Sequence, residues 1–270
     1  MANYGKEELA AMSHAEFRSI VRRGEWRERS RGACRGYTVA NLAIVPEDYA
    51  FEFLLFCNRN PRPCPVIDVT EPGNPHPKLM APDADLRTDL PKYRVFKDGQ
   101  LTDEPIDITN YWRDDLIAFL LGCSHSFDWA LRAANIHYRK IGAYTTTIPC
   151  LPAGRFHGPM QVSCRLVKSY DASRAVQISS RYRFAHGAPV HIGDPAIIGI
   201  KDLYKPDMQT VKDVKESITP QEPDEVAMFW GDGATPRNVA VESKIPFMIT
   251  HGKGGYMFIT DRLIEELCNK

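Results

Sequence analysis

The segment 183–195, RFAHGAPVHIGDP, constrains the fold of this chain more than any other feature. Residues that end regular secondary structure recur within it, namely Gly187, Pro189, Gly193 and Pro195. The segment is therefore predicted to be a pinned loop. It also carries two of the eight histidines, His186 and His191, and the carboxylate of Asp194. Titratable side chains on a fixed loop are typical of an active site. The alternative is a buried connection whose histidines bond the backbone.

The two histidines and the acid in this loop suit either proton transfer or metal binding. His186 and His191 are too widely spaced for one helix face, and Pro189 disfavours a helix. Their spacing matches no local zinc signature, so a divalent metal at His186, His191 and Asp194 is the weaker alternative and we predict no cofactor. Histidine titrates near neutral pH, and a carboxylate can orient it, which favours acid–base catalysis. For Asp194, a turn carboxylate that accepts backbone hydrogen bonds is an equal alternative.

Three other segments carry candidate functional side chains. Ser124 and Ser126 lie near a predicted helix start, where hydroxyls and free amides bind carboxylates, although a plain helix cap is somewhat favoured for each alone. Arg165 lies inside an apolar, strand-like run and needs a partner. A substrate carboxylate or a structural salt bridge would serve it equally well. His251 ends a strand-like run before a Gly-rich loop that matches no phosphate-binding fingerprint.

Composition excludes several classes of protein. The 270 residues carry 34 basic and 34 acidic side chains, without a dense basic cluster, so we expect no nucleic-acid partner. No apolar run approaches the length of a bilayer span, and the first residues lack the apolar region of a signal peptide. Seven cysteines without paired spacing suit a reducing compartment. We therefore predict a cytoplasmic protein that does not bind membranes.

Local signals for helices and strands alternate along the chain, which predicts the α/β class. Residues 13–16 form a capping-box pattern at the start of a helix. Asp98-Gly99 is a strong hairpin signal, and residues 160–167 are strand-like. Residues 114–121 are predicted to form an apolar-faced helix. Residues 205–225 are polar and bounded by prolines, which indicates a solvated excursion.

Ordered motifs along nearly the whole chain resemble the D-glutamate cyclase family. The sequence HGAPVHIGDP at 186–195 is similar to the central motif of that family. The other similar motifs are GYTVANL at 36–42, FCNRNPRPCP at 56–65, DLRTDLP at 85–91, GCSHSF at 122–127, PAG at 152–154, FW at 229–230, TP at 235–236 and ITH at 249–251.

The resemblance implies two intimately joined α/β parts, a larger three-layer, sandwich-like part and a smaller two-layer part. We assign residues 1–75 and 160–270 to the larger part and residues 76–159 to the smaller, inserted part. The implied reaction is the intramolecular dehydration of D-glutamate to 5-oxo-D-proline. The implied catalytic residues are His186, His191, Asp194 and His251, and the implied substrate-binding residues are Ser124, Ser126, Arg165 and Thr235. We expect these regions to line one cleft.

Of the chain's departures from the family pattern, three near these motifs bear on its function. His125 replaces an aromatic residue, Asp232 replaces a typical Cys, and Lys253 stands where Pro is usual. These departures motivate two alternatives to the cyclase. One is a hydratase or dehydratase of another small carboxylic acid, and the other is a non-catalytic protein that binds small acids. The expected partner is a small carboxylate or amino acid, and a homo-oligomer is left open.

Overall fold

The computed structural model describes residues 4–207 and 219–268. In these residues the strands form two antiparallel sheets, one of seven strands and one of four, and helices pack against them. The fold is therefore a mixed α/β fold, as predicted at that level. The predicted excursion at 205–225 falls partly on residues 208–218, which lie outside the described residues.

The helices of the described residues are α1 (Lys6–Ala11), α2 (His14–Arg22), α3 (Glu47–Arg59), α4 (His125–Ala133), α5 (Ala172–Ser180) and α6 (Ala234–Glu242). The larger sheet contains β1 (Tyr37–Pro46), β2 (Val66–Val69), β3 (Tyr93–Lys97), β4 (Gln100–Asp103), β5 (Leu116–Gly122), β10 (Phe247–His251) and β11 (Phe258–Leu263). The smaller sheet contains β6 (Tyr138–Pro149), β7 (Pro159–Lys168), β8 (His191–Ile192) and β9 (Glu225–Gly231).

Strand order places the most apolar strands at the centre of each sheet. The larger sheet runs β2-β5-β1-β10-β3-β4, with β11 also paired to β1, and the smaller runs β6-β7-β9-β8. A continuous core joins the two sheets through α3, because Phe53 of α3 packs in one cluster with Phe119 of β5 and Phe229 of β9. Phe53 and Phe119 meet edge to face, with ring centroids 4.9 Å apart.

Several local predictions are confirmed. The Ser13 hydroxyl accepts a hydrogen bond from the Glu16 amide at 3.2 Å and caps α2. Asp98-Gly99 is the turn between β3 and β4. The strand predicted at 160–167 is β7, which pairs with β6 and β9.

The helix predicted at 114–121 is wrong, because residues 116–122 form strand β5. Every residue of β5 is buried, and the strand lies between β2 and β1. A strand covered on both faces is apolar at every position, so its pattern cannot be distinguished from that of a buried helix.

Membership in the two sheets divides the chain differently from the proposed domain ranges. Residues 37–122 and 247–263 supply the larger sheet, and residues 138–231 supply the smaller one. The range 76–159 thus contributes to both sheets. The assignment of 1–75 with 160–270, and of 76–159, stays a prediction about domains.

Two features bear on the environment expected from the sequence. Among the described residues, none of the helices has the length and apolar character needed to cross a membrane. All seven cysteines are free thiols, and six of them are buried. The cytoplasmic location stays a prediction.

Candidate active site

A cavity of about 50 Å³ is lined by residues from both sheets and from the loops between them. This volume holds a few water molecules or small functional groups. The polar and charged lining comprises Asn41, Ser124, His125, Lys140, Ser163, Arg165, His186, Asp232, Arg237 and His251. Four of the residues predicted from the sequence, Ser124, Arg165, His186 and His251, are therefore brought together. Their catalytic and binding roles stay predictions.

A close backbone approach brings the His186 loop to the start of α4. Gly122 ends β5, and a Cβ atom built on it would lie 1.5 Å from the carbonyl oxygen of Phe184. Only glycine allows this contact, since any side chain would displace the loop. Gly233 allows a similar approach, because a Cβ there would lie 2.1 Å from the Asn41 amide nitrogen. Small residues in two motifs thus determine where the cavity walls meet.

His191 and Asp194 do not line this cavity. The hydrogen bonds between β8 and β9 hold His191 at the edge of the smaller sheet, where its ring packs 5.7 Å from that of Phe229. Its Nε2 lies 2.8 Å from the backbone oxygen of Asp194. The Asp194 carboxylate accepts a hydrogen bond from the Ala196 amide at 2.9 Å and caps a short 3-10 helix. Asp194 therefore occupies the turn-carboxylate role that the sequence left open.

Ser126 and Thr235 are also absent from the cavity lining, and their hydroxyls connect separate elements. The Ser126 hydroxyl accepts a hydrogen bond from the Val39 amide at 3.1 Å. The Thr235 hydroxyl accepts one from the Gln161 amide at 2.9 Å. Both side chains are buried, so these bonds tie α4 to β1 and α6 to β7.

The hydrogen bond to Nδ1 determines which nitrogen of His186 carries the proton. This Nδ1 lies 2.7 Å from the carbonyl oxygen of Arg62. A carbonyl only accepts, so Nδ1 is the protonated nitrogen and the neutral ring keeps a lone pair on Nε2. Burial lowers the pKa of His186, which favours the neutral form. The residue also has φ of 77°, an uncommon backbone conformation outside glycine.

His251 has the opposite tautomer. Its Nδ1 accepts a hydrogen bond from the Leu42 amide at 3.2 Å, so the neutral ring carries its proton on Nε2. Burial, followed by the charge of Arg237, lowers the pKa of His251 to about 4. The cavity therefore contains one neutral imidazole with a lone pair on Nε2 and one with a proton on Nε2.

A buried ion cluster centred on Asp128 forms another wall. Oδ1 of this carboxylate accepts hydrogen bonds from Arg165 at 2.9 and 3.2 Å, and Oδ2 bonds the ammonium of Lys140. Arg165 also donates to the Ser124 hydroxyl at 3.1 Å. Of the two partners considered for Arg165, a substrate carboxylate and a structural salt bridge, the structure contains the salt bridge, formed with Asp128.

Burial and neighbouring charges shift the pKa values of Asp128 and Lys140 in opposite directions. Burial alone would raise the pKa of Asp128, but Lys140 and Arg165 hold it well below its usual value. Burial lowers the pKa of Lys140, although Asp128 opposes that effect. His125 lies 2.6 Å from the Lys140 nitrogen, and burial followed by the Lys140 charge lowers its pKa to about 3.

Sequence reasoning missed Lys140, Asn41 and Arg237. Lys140 had the same signal as Arg165, a charged residue within a strand-like run that requires a buried partner.

Asp232 was weighed as a turn carboxylate, and its Oδ1 accepts a hydrogen bond from the Ala234 amide at 2.9 Å. Among the described residues no group of three or more His, Cys, Asp or Glu side chains has the arrangement of a metal site.

We expect the free energy of unfolding to fall as the pH drops from 6.5, the ordinary pKa of histidine, toward about 4, the pKa of His251 in the folded protein. The depressed folded pKa means that the unfolded chain binds a proton more readily in this range. The stabilising effect is present above pH 6.5 and is lost as the pH falls. Urea unfolding at several pH values measures it. The variant His251→Asn should show a flatter profile, and an identical slope in both proteins would contradict this account.

Comparisons with known proteins identify the family to which this chain belongs. Residues 117–261 match the family model described as D-glutamate cyclase. A protein named "Putative hydro-lyase" in Geobacillus kaustophilus is 51% identical over 96% of this chain and 97% of its own length. The similarly named YcsI of Bacillus subtilis is 47% identical over 95% of this chain and 99% of its own length. A solved nitrogen repressor-like protein from Methanococcus jannaschii covers 87% of this chain and 91% of its own, with 8% identity and a TM-score of 0.38. Hydro-lyases are carbon–oxygen lyases. The family model and the two relatives named hydro-lyases show that this chain belongs to the D-glutamate cyclase family.

Proposed function

We propose that this protein catalyses the intramolecular dehydration of D-glutamate to 5-oxo-D-proline. One observation carries the proposal beyond family membership. Two neutral imidazoles, His186 and His251, line one small cavity, and their hydrogen bonds fix opposite tautomers. Such a pair can accept a proton at one point of a substrate and donate a hydrogen bond to an oxygen at another.

The reaction requires this kind of proton transfer. The amino nitrogen forms a bond to the side-chain carboxyl carbon, and one carbon–oxygen bond of that carboxyl group breaks. Two protons leave the ammonium group, and two arrive on the departing oxygen, which leaves as water. No electrons are exchanged with another molecule, so a redox cofactor is not required.

We assign the proton transfers to His186 and a supporting role to His251, two of the three cavity histidines. Nε2 of His186 has the lone pair, takes the two ammonium protons one at a time and passes each to the departing oxygen, which makes the amino nitrogen nucleophilic. Nε2–H of His251 donates a hydrogen bond to that oxygen and keeps its own proton. Lys140, on the same cavity wall, donates a hydrogen bond to the reacting carboxylate while it stays paired with Asp128. Holding the amine and the carboxyl group together converts their approach into a favourable intramolecular step.

The test is a direct assay with separated enantiomers. Purified protein is incubated with D-glutamate or L-glutamate, and 5-oxoproline is measured by chiral chromatography. We expect 5-oxo-D-proline from D-glutamate, well above a control without protein. If folded protein converts neither enantiomer, the proposed reaction is wrong.

A hydratase or dehydratase of another small carboxylic acid is the second candidate. It is favoured by His125 and Asp232, which depart from the family pattern and both line the cavity. A panel of small hydroxy and unsaturated acids, followed by water loss or addition, distinguishes it from the cyclase. A protein that binds such acids without turnover would be the third candidate. In each case we expect the substrate to be a small acid of the cytoplasm.

Activity should survive removal of divalent metals. The proton transfers assigned here use His186, His251 donates a hydrogen bond, and neither role requires a Lewis acid. We expect the same rate of 5-oxoproline formation before and after dialysis against EDTA. Loss of turnover with recovery on adding one divalent ion would contradict this expectation. The ion's ligands would then have to be identified by mutation, starting with His186.

A further inference from the structure

Arg237 differs from the other cations of the cavity in its partners. It lies in the first turns of α6, is partly buried and lines the cavity. Its Nε and Nη2 both donate to the side-chain oxygen of the neighbouring Asn238, at 3.0 and 2.8 Å. Within residues 4–207 and 219–268, no carboxylate forms an ion pair with Arg237. Arg165 and Lys140, in contrast, are both paired with Asp128.

The surroundings of Arg237 make a bound anion favourable. Burial lowers the pKa of Arg237 to about 10, and the neighbouring charge of Arg94 acts in the same direction. The opposing charge is that of Asp232, whose Oδ1 accepts a hydrogen bond from the Ala234 amide. The guanidinium stays protonated at neutral pH, so this part of the cavity has a positive charge without a direct ionic partner. A guanidinium in that state binds a carboxylate through two parallel hydrogen bonds.

We propose that Arg237 binds the α-carboxylate of the substrate, an inference that rests on the proposed function. The two carboxylates of glutamate have different requirements. The side-chain carboxylate loses an oxygen and needs donors that can transfer protons, such as histidine. The α-carboxylate is unchanged by the reaction and needs a permanent positive charge. Arginine suits the second role because it does not release its proton at neutral pH.

This assignment makes Arg237 a residue that determines specificity, because it favours ligands that carry an α-carboxylate. Three cations line the cavity, namely Lys140, Arg165 and Arg237. Two carboxylates oppose them, Asp232 in the lining and Asp128 behind it. The pKa values of all three histidines in the lining are lowered, so these side chains are neutral. The charged groups named here leave one positive charge, and glutamate carries one net negative charge. A bound glutamate therefore balances the charge of the cavity.

The test compares ligand binding in Arg237→Gln and in a matched control, Lys97→Gln. Lys97 is exposed, so the control removes one positive charge away from the cavity. Calorimetry measures Kd for D-glutamine, which keeps the α-carboxylate, and for D-isoglutamine, which keeps only the side-chain carboxylate. We expect Arg237→Gln to weaken D-glutamine binding by roughly 10–100-fold, the usual effect of losing a charged hydrogen-bond pair. D-Isoglutamine binding should be unchanged, as should all binding to the control.

Further variants separate the outcomes. Arg237→Lys keeps the charge but not the planar fork, and should lie between wild type and Arg237→Gln; it also serves if the Gln variant does not fold. His186→Gln should keep D-glutamine affinity and lose turnover, whereas Arg237→Gln should mainly raise KM. Equal D-glutamine affinity in wild type and both Arg237 variants, no D-glutamine binding by wild type, or a selective loss of D-isoglutamine binding would overturn the inference. Normal Arg237-dependent binding without conversion of D-glutamate would instead overturn only the proposed reaction.

Discussion

Replacing His186 by Gln is expected to lower turnover of D-glutamate by roughly 10²–10⁴-fold while the protein stays folded. Glutamine keeps approximately the volume of histidine and can still donate to the Arg62 carbonyl, which lies 2.7 Å from Nδ1 in the native protein. It cannot accept and release a proton near neutral pH. The rate of 5-oxo-D-proline formation per folded enzyme, with thermal melting as a parallel measurement, tests this prediction.

His191→Gln provides the matched control in the same loop. His191 does not line the cavity, and its Nε2 lies 2.8 Å from the backbone of Asp194. We expect turnover within about twofold of wild type and at most a small change in melting temperature, as for most surface substitutions. Near-wild-type rates in both Gln variants would remove this loop from the mechanism. A large loss in His191→Gln alone would contradict the assignment to His186.

Replacing Asp128 by Asn is expected to destabilise the protein by about 3–5 kcal/mol, the usual effect of breaking a buried ion pair. The change leaves Lys140 and Arg165 buried without their shared carboxylate. Arg165 is fully buried, so water cannot replace the lost partner. For a chain of this size the melting temperature should fall by roughly 6–20 °C. Scanning calorimetry at neutral pH gives both quantities.

Asp194→Asn is the matched control, because it removes a carboxylate that is not part of the buried ion cluster. Asp194 is partly exposed and caps a short 3-10 helix. Asparagine also caps helices well, so the expected change is only a few tenths of a kcal/mol. The double variant Asp128→Asn with Lys140→Met should recover part of the lost stability, because one unpaired cation is removed. Equal melting temperatures for Asp128→Asn and wild type would contradict the central role of Asp128.

Sequence patterns predicted the local elements whose signals lie within a few residues. The cap at Ser13, the turn at Asp98-Gly99 and the strand at 160–167 each depend on neighbouring residues. The loop predicted at 183–195 is confirmed only in part, because residues 183–185 form a 3-10 turn and His191–Ile192 pair with β9 as strand β8. Ordered motifs were also sufficient to identify the family, which the comparisons confirmed.

Patterns failed where burial or long-range contacts decide the result. Residues 116–122 are apolar at every position because sheet neighbours and helices cover both faces, and no periodicity distinguishes that strand from a helix. Arg165 needed a partner, but the pairing with Asp128, 37 residues away, follows from the contact between β7 and α4. Lys140 of β6 likewise reaches the site through its pairing with Asp128 of α4.

The sequence by itself determined the family, the mixed α/β class and a short list of candidate site residues. Only the tertiary structure separated His186 and His251, which line the cavity, from His191 and Asp194, which do not. It also fixed the tautomers, because Arg62 is 124 residues from His186 and Leu42 is 209 residues from His251. A proton's position on imidazole depends on the partner within hydrogen-bond distance. That partner comes from another part of the chain, so only folding decides it.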